Sequence, residues 1–172
     1  MRQRVLAAAV VIAVAVMGAG TANAGKVEIK GGHICCTPCV KAITGVLKQV
    51  AGVTDAAAVK NGSITFTATD DKTATAAIIA LADAGFIGVA TNDGKEFKVD
   101  LPTPKGGDKL DAVTVTGTHI CCPNCQSALQ SLFPDDKMEF LDDKTVKING
   151  DNLDKAAVLE VLRKAGFNGK IK

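Results

Sequence analysis

Apolar and polar side chains alternate over residues 26–31 (Lys-Val-Glu-Ile-Lys-Gly), the spacing of a strand with one buried face. Beyond it Val40, Ile43, Leu47 and Val50 recur along one face of a helix, and Gly52 is placed to end that helix. Two strands are predicted near 53–59 and 63–69, with Asn61-Gly62 turning between them. A second helix over about 71–84 turns Ile78 and Leu81 inward and stops at Gly85. A last strand follows, then an added stretch from Thr91 to Asp100 in which Asp93-Gly94 suits a hairpin. The same order then returns. Ala112 to Thr116 reads as a strand; Leu129, Leu132 and Phe133 mark a helix closed by Pro134; strands are predicted at 137–141 and 145–149 around Asp142-Asp143-Lys144. A final helix over about 152–165 carries Leu159 and Leu162 inward and stops at Gly166, which leaves a short strand at Gly169 to Lys172.

This is β-α-β-β-α-β written twice. The expected class is α+β: two tandem ferredoxin-like sandwiches, each with two helices on one face of a four-stranded antiparallel sheet. The predicted boundaries are a first domain over 25–100, a linker over 101–109 rich in Pro and Gly, and a second domain over 110–172. Each unit has roughly 65–75 residues, so each core is small and a bound metal could add to its stability.

Residues 1–24 read differently. Arg2 and Arg4 precede an unbroken apolar run from Val5 to Val16, and Ala22-Asn23-Ala24 supplies a small-x-small end. These are the parts of a cleavable secretory signal, and the run is shorter than the ~20 residues a spanning helix needs. An exported protein, periplasmic or secreted and not held at a membrane after cleavage, is expected. The formal charge of the whole chain is +2, and the leader holds two arginines and no acid, so the mature chain is neutral. With no basic track and no Trp or Tyr for stacking, nucleic acid is not an expected partner.

All six cysteines and both histidines fall in two short windows: His33-Ile34-Cys35-Cys36-Thr37-Pro38-Cys39 and His119-Ile120-Cys121-Cys122-Pro123-Asn124-Cys125. A disulfide framework would spread its cysteines to join distant segments. Cys36 with Cys39, and Cys122 with Cys125, instead put two sulfurs on a short loop that leads into a helix. The second Cys of each pair lies in the first helical turn, where unpaired N–H groups and the dipole favour thiolate. Thiolates suit soft ions such as Cu(I) and Zn(II). Cys35 and Cys121 offer a third sulfur and His33 and His119 an imidazole, a full tetrahedral set for zinc or a three-sulfur set for copper(I). In extended chain, however, neighbouring cysteines point apart, and a bend in the loop is needed to turn Cys35 toward a metal. Because the pair lies in a loop, a partner is expected to reach it.

The loops, their place before the first helix, and Ala84-Gly85-Phe86 repeated as Ala165-Gly166-Phe167 resemble the heavy-metal-associated domain, the family of copper chaperones and a periplasmic mercury-binding protein. The resemblance covers nearly all of the mature chain. It implies that Cys36, Cys39, Cys122 and Cys125 are ligands, that Phe86 and Phe167 pack beside the loops, and that the chain sequesters or hands on Cu(I), Zn(II) or Hg(II), up to one ion per domain, with a metal transporter or acceptor protein as a further partner. The chain departs from the family's Gly-Met-x-Cys-x-x-Cys at its Gly (His33, His119), at its Met (Ile34, Ile120) and at its variable residue (Cys35, Cys121). No catalytic constellation is visible, and the chain is not expected to be an enzyme. The rival reading is a thiol–disulfide oxidoreductase acting through the Cys-x-x-Cys pairs; a structural zinc module is a third.

Overall fold

The computed structural model describes residues 25–172; the predicted leader lies outside them. In the first half β1 (Gly25–Lys30) leads to α1 (Thr37–Lys48), β2 (Val53–Ala58), β3 (Ile64–Ala68), α2 (Asp71–Asp83), β4 (Val89–Asn92) and β5 (Lys95–Glu96). The second half runs β6 (Leu110–Thr116), α3 (Pro123–Leu132), β7 (Lys137–Phe140), β8 (Thr145–Leu153), α4 (Lys155–Lys164) and β9 (Lys170–Ile171). The chain is thus mixed α+β, with two antiparallel sheets ordered β2-β3-β1-β4-β5 and β7-β8-β6-β9. The fifth strand of the first sheet is the Asp93-Gly94 hairpin, whose two turn residues both take positive φ (49° and 77°), the backbone that a tight two-residue turn demands.

Inward residues alternate along the central strands as the pattern requires: Val27 and Ile29 on β1, Ile64 and Phe66 on β3, Val113 and Val115 on β6, Val146 and Ile148 on β8. Ile43 and Leu47 of α1, Ile78 and Leu81 of α2, Leu129 of α3, and Leu159 and Leu162 of α4 close over them. One boundary differs from the sequence expectation. β8 continues to Leu153, and α4 begins at Lys155 rather than near 152. Asn152 takes a left-handed φ of 60°, and the Asp154 carboxylate accepts the Ala157 N–H at 2.9 Å, so the cap fixes the helix start. Asp70 does the same for α2 through the Thr73 N–H at 2.7 Å.

The two halves do not stand apart on their linker. Their buried apolar residues form one continuous cluster. Phe86 and Phe167, each following a helix-ending glycine, pair as a short antiparallel bridge. Around it the Asn168 N–H donates to the Gly85 carbonyl at 3.0 Å, and the Asn168 side-chain amide donates to the Ala82 carbonyl at 2.8 Å. His33 N–H reaches the Gly166 carbonyl at 3.3 Å. Lys170 and Asp83 add an ion pair at 2.9 Å between largely exposed side chains, a small contribution in water. The linker is itself tied down: Arg163 donates to the Pro102 carbonyl at 2.7 Å, to the Thr103 hydroxyl at 2.9 Å and to Asn168 Oδ1 at 2.8 Å. Among the described residues no helix is long and apolar enough to cross a membrane.

Candidate metal centre

Each thiol loop is set by three local devices. Ile34 and Ile120 are buried and anchor the loops in the core. The β2–β3 turn holds the first loop through the Asn61 N–H on the Ile34 carbonyl at 2.7 Å, and the β7–β8 turn holds the second through the Ile120 N–H on the Asp143 carbonyl at 3.0 Å. Cys36 and Cys122 are the N-cap residues of α1 and α3, with extended backbone (φ −152° and −163°). Pro38 and Pro123 then fall in the first helical positions, where a missing N–H costs nothing because that donor has no helical partner anyway. The proline's different place in the two loops therefore has a common helix-starting role.

The bridge between Phe86 and Phe167 turns the two loops toward each other, and all six thiols meet. Within the pairs, Cys36 Sγ lies 3.3 Å from Cys39 Sγ, and Cys122 Sγ lies 3.7 Å from Cys125 Sγ. The third thiols cross over. Cys35 Sγ sits 3.5 Å from Cys122 and 3.4 Å from Cys125, while Cys121 Sγ sits 3.2 Å from Cys36 and 3.6 Å from Cys39. Contacts of 3.7 Å (Cys35–Cys39) and 3.8 Å (Cys121–Cys125) complete the cluster. All six cysteines are free thiols.

Two expectations change here. The pairs do not lie open on surface loops: Cys39 and Cys125 are fully buried and the other four thiols are half-buried, because each loop is covered by the opposite half. The third thiol also does more than extend its own loop. The bend that brings Cys35 in carries it to the other half's pair, and Cys121 mirrors it. The aromatic residues expected beside the loops likewise act across the boundary. Phe167 stacks on His33 with ring centres 4.3 Å apart, and Phe86 packs against His119 at 4.4 Å.

The histidines are placed unequally. A ring nitrogen of His33 lies within 4.8 Å of the Cys35 and Cys125 sulfurs. His119 joins no such group among the described residues. Burial lowers the pKa of both imidazoles, which favours the neutral, ligating form. Both Nε2 atoms are buried without a hydrogen-bond partner. An orphaned nitrogen on the His33 ring, which stands beside soft sulfurs, is what a metal ion would satisfy. Six cysteines and a histidine thus lie close together and could bind a metal.

Charge is distributed unevenly among the thiols. Burial works against the Cys122 thiolate, but N–H groups of Cys125 and Asn124 and the neighbouring thiols of Cys35 and Cys125 outweigh it, so its pKa falls to about 6. Cys39 is lowered likewise: burial opposes its thiolate, and the Cys36 thiol and backbone and the Cys121 thiol prevail. Burial, reinforced by neighbouring thiols, pushes Cys35 and Cys121 far upward, while burial leaves Cys125 raised. In the reduced apo protein, alkylation at Cys122 should therefore rise through pH about 6 and level off above it, while Cys35 and Cys121 stay unreactive to well beyond neutral pH. Mass-mapped iodoacetamide labelling against pH checks this; equal labelling of all six would contradict it.

Sequence reasoning did not single out Asn168, it read Asn61 and Asp143 only as turn residues, and it read Gly85 and Gly166 only as helix stops. The repeated Ala-Gly-Phe was the available signal for the contact between halves. Comparison of the chain with family models, with curated proteins and with solved structures finds no match.

Proposed function

We propose that this chain is an exported soft-metal-binding protein that sequesters Cu(I), Zn(II) or Hg(II), and that each half is a ferredoxin-like, heavy-metal-associated-type domain. The sheet orders β2-β3-β1-β4 and β7-β8-β6-β9 support the second statement. The observation that carries the first is the convergence of all six thiols and His33 on one cluster. Its half-buried setting favours holding ions over rapid exchange. A metal transporter or acceptor protein would then gain access by parting the two halves. The oxidoreductase reading draws on the lowered Cys122 pKa, since a low-pKa thiol in a Cys-x-x-Cys loop suits disulfide exchange. It also requires the second thiol of the pair to be reachable, and although Cys122 is half-buried, Cys39 and Cys125 are fully buried.

The test is metal content of the reduced mature chain after exposure to Cu(I), Zn(II) and Hg(II) in competition. Replacing Cys36, Cys39, Cys122 and Cys125 together by Ser should abolish tight binding while circular dichroism stays unchanged. Retention of the same metal at the same stoichiometry would sink the assignment. Reduction of a small-molecule disulfide faster than a simple dithiol achieves, without tight metal binding, would favour the rival.

A further inference from the structure

The arrangement of the sulfurs says more than that a soft ion can bind. Two triangles face each other. Cys36, Cys39 and Cys121 form one, with edges of 3.2, 3.3 and 3.6 Å; Cys35, Cys122 and Cys125 form the other, with edges of 3.4, 3.5 and 3.7 Å. Further short distances join them. Cys35 lies 3.7 Å from Cys39, Cys121 lies 3.8 Å from Cys125, and the sulfurs of Cys35, Cys36 and Cys122 are mutually within 4.8 Å, as are those of Cys121, Cys122 and Cys125. Joined along five of the six edges that connect the triangles of an octahedron, the two make a distorted octahedron. In it Cys35 opposes Cys121, Cys36 opposes Cys125 and Cys39 opposes Cys122.

An octahedron has four alternate faces that together use every vertex twice. Here they are Cys36-Cys39-Cys121, Cys35-Cys36-Cys122, Cys121-Cys122-Cys125 and Cys35-Cys39-Cys125. The first three are groups whose sulfurs all lie within 4.8 Å of one another. The fourth contains the Cys35–Cys39 and Cys35–Cys125 contacts, and His33 stands beside it, within 4.8 Å of Cys35 and Cys125. We propose that the six thiols hold a single four-copper(I), six-thiolate cage, one copper on each of these faces and each sulfur bridging two coppers. The proposal rests on the metal-binding reading above and deepens it by fixing the ion, the number and the shared ownership of the ligands.

The chemistry balances without any redox step. Four Cu(I) ions and six neutral thiols give a cage of charge −2 and six released protons; those thiols already ionised release fewer. The dianion forms at the N-termini of α1 and α3, helices of 12 and 10 residues, where free N–H groups and both dipoles favour negative charge. Three-sulfur coordination is a natural state for copper(I), and sulfur edges must widen to about 4 Å for metal–sulfur bonds of about 2.3 Å in a plane. The triangles need only a modest opening, which side-chain rotation of half-buried cysteines can supply.

Six thiolates can also hold two tetrahedral zinc ions, with two sulfurs bridging and two pairs terminal. The bridging sulfurs would be the crossed thiols Cys35 and Cys121, and they would have to touch. No thiol contact joins Cys35 to Cys121 among the described residues, and Cys36 and Cys122, which would be terminal on different ions, lie within 4.8 Å. The cage fits both facts.

The experiment is anaerobic titration of the reduced full chain with Cu(I) against a chromogenic Cu(I) chelator, read by native mass spectrometry and copper X-ray absorption. The expected result is an all-or-none step from the metal-free chain to a monomer with about four coppers and six protons fewer, about three sulfurs per copper and a short copper–copper distance. C35S/C121S should keep its apo circular dichroism, take no more than about two coppers and lose the copper–copper distance. Stepwise uptake of one or two coppers without that distance, a C35S/C121S chain that still takes four, or a zinc pair that copper does not displace would each overturn the cage and leave soft-metal binding standing. Failure to retain any soft ion would overturn the metal-binding reading itself.

Discussion

Serine at Cys35 should weaken the thiol site of the opposite half. A chain with C36S and C39S still has Cys122 and Cys125, and Cys35 lies 3.5 and 3.4 Å from them. Sulfur coordination of a bound ion in that background, where Cys35, Cys121, Cys122 and Cys125 remain, should fall by about one when C35S is added. Release to a competing chelator should then speed by at least about tenfold, the equivalent of ~1.4 kcal/mol. The cause is direct: a thiolate lost from the first coordination sphere removes both a bond and the restraint on dissociation, and serine's harder oxygen replaces neither for a soft ion. X-ray absorption and transfer kinetics on the triple variant check this. If C35S left both unchanged in the C36S/C39S background, the third thiol would serve only its own loop, and the crossed arrangement would be wrong.

The second large effect is expected at the glycines before Phe86 and Phe167. Gly85 and Gly166 have φ of +90° and +83°, so alanine at either costs about 1–2 kcal/mol from backbone strain alone. The further cost lies between the halves. A Cβ at Gly85 would run into the backbone N of His119 and the carbonyl of Gly117; one at Gly166 would run into the carbonyl of Gly31 and the N of His33. Those neighbours are backbone in the opposite thiol loop and cannot rotate away. G85A/G166A should therefore part the halves, pull the two sulfur pairs apart and lower metal capacity, with an increased radius in solution scattering. Gly52 provides the control. Its φ is +85°, but its nearest neighbours are the side chains of Thr69 and Thr73 in its own half. G52A should lose stability of the first half by a similar strain and retain the shared site. A G85A/G166A chain as compact and as metal-competent as the parent would show that the contact between halves is not what assembles the cluster.

Much of the molecule was legible in the chain. The β-α-β-β-α-β order followed from local signals: alternation on β1 and β3, helical spacing at Ile43 and Leu47, and turns whose backbone only Asp, Asn or Gly tolerates well, as at Asp93-Gly94. The start of α4 was misplaced because Asn152 and Asp154 are both cap-forming residue types, and only the fold shows which one accepts the helix N–H. The concentration of every Cys and His in two matching loops was enough to nominate the site residues, because residue type and spacing alone decide which side chains can donate to a soft ion.

What the sequence by itself determined was thus the repeat, the α+β class and the eight candidate donors. All three are carried by short-range pattern, where each residue's chemistry and the helical or strand period suffice. Only the tertiary structure decided that the two thiol loops face each other, that Cys35 and Cys121 cross to the opposite pair, and that His33 rather than His119 stands with the sulfurs. Those facts depend on the Phe86–Phe167 bridge and the backbone bonds at Gly85 and Gly166, contacts between residues from about eighty to more than one hundred and thirty positions apart. A loop of six or seven residues carries no record of which surface covers it. The packing of two small cores into one apolar cluster sets that, through burial of area that neither half can hide alone.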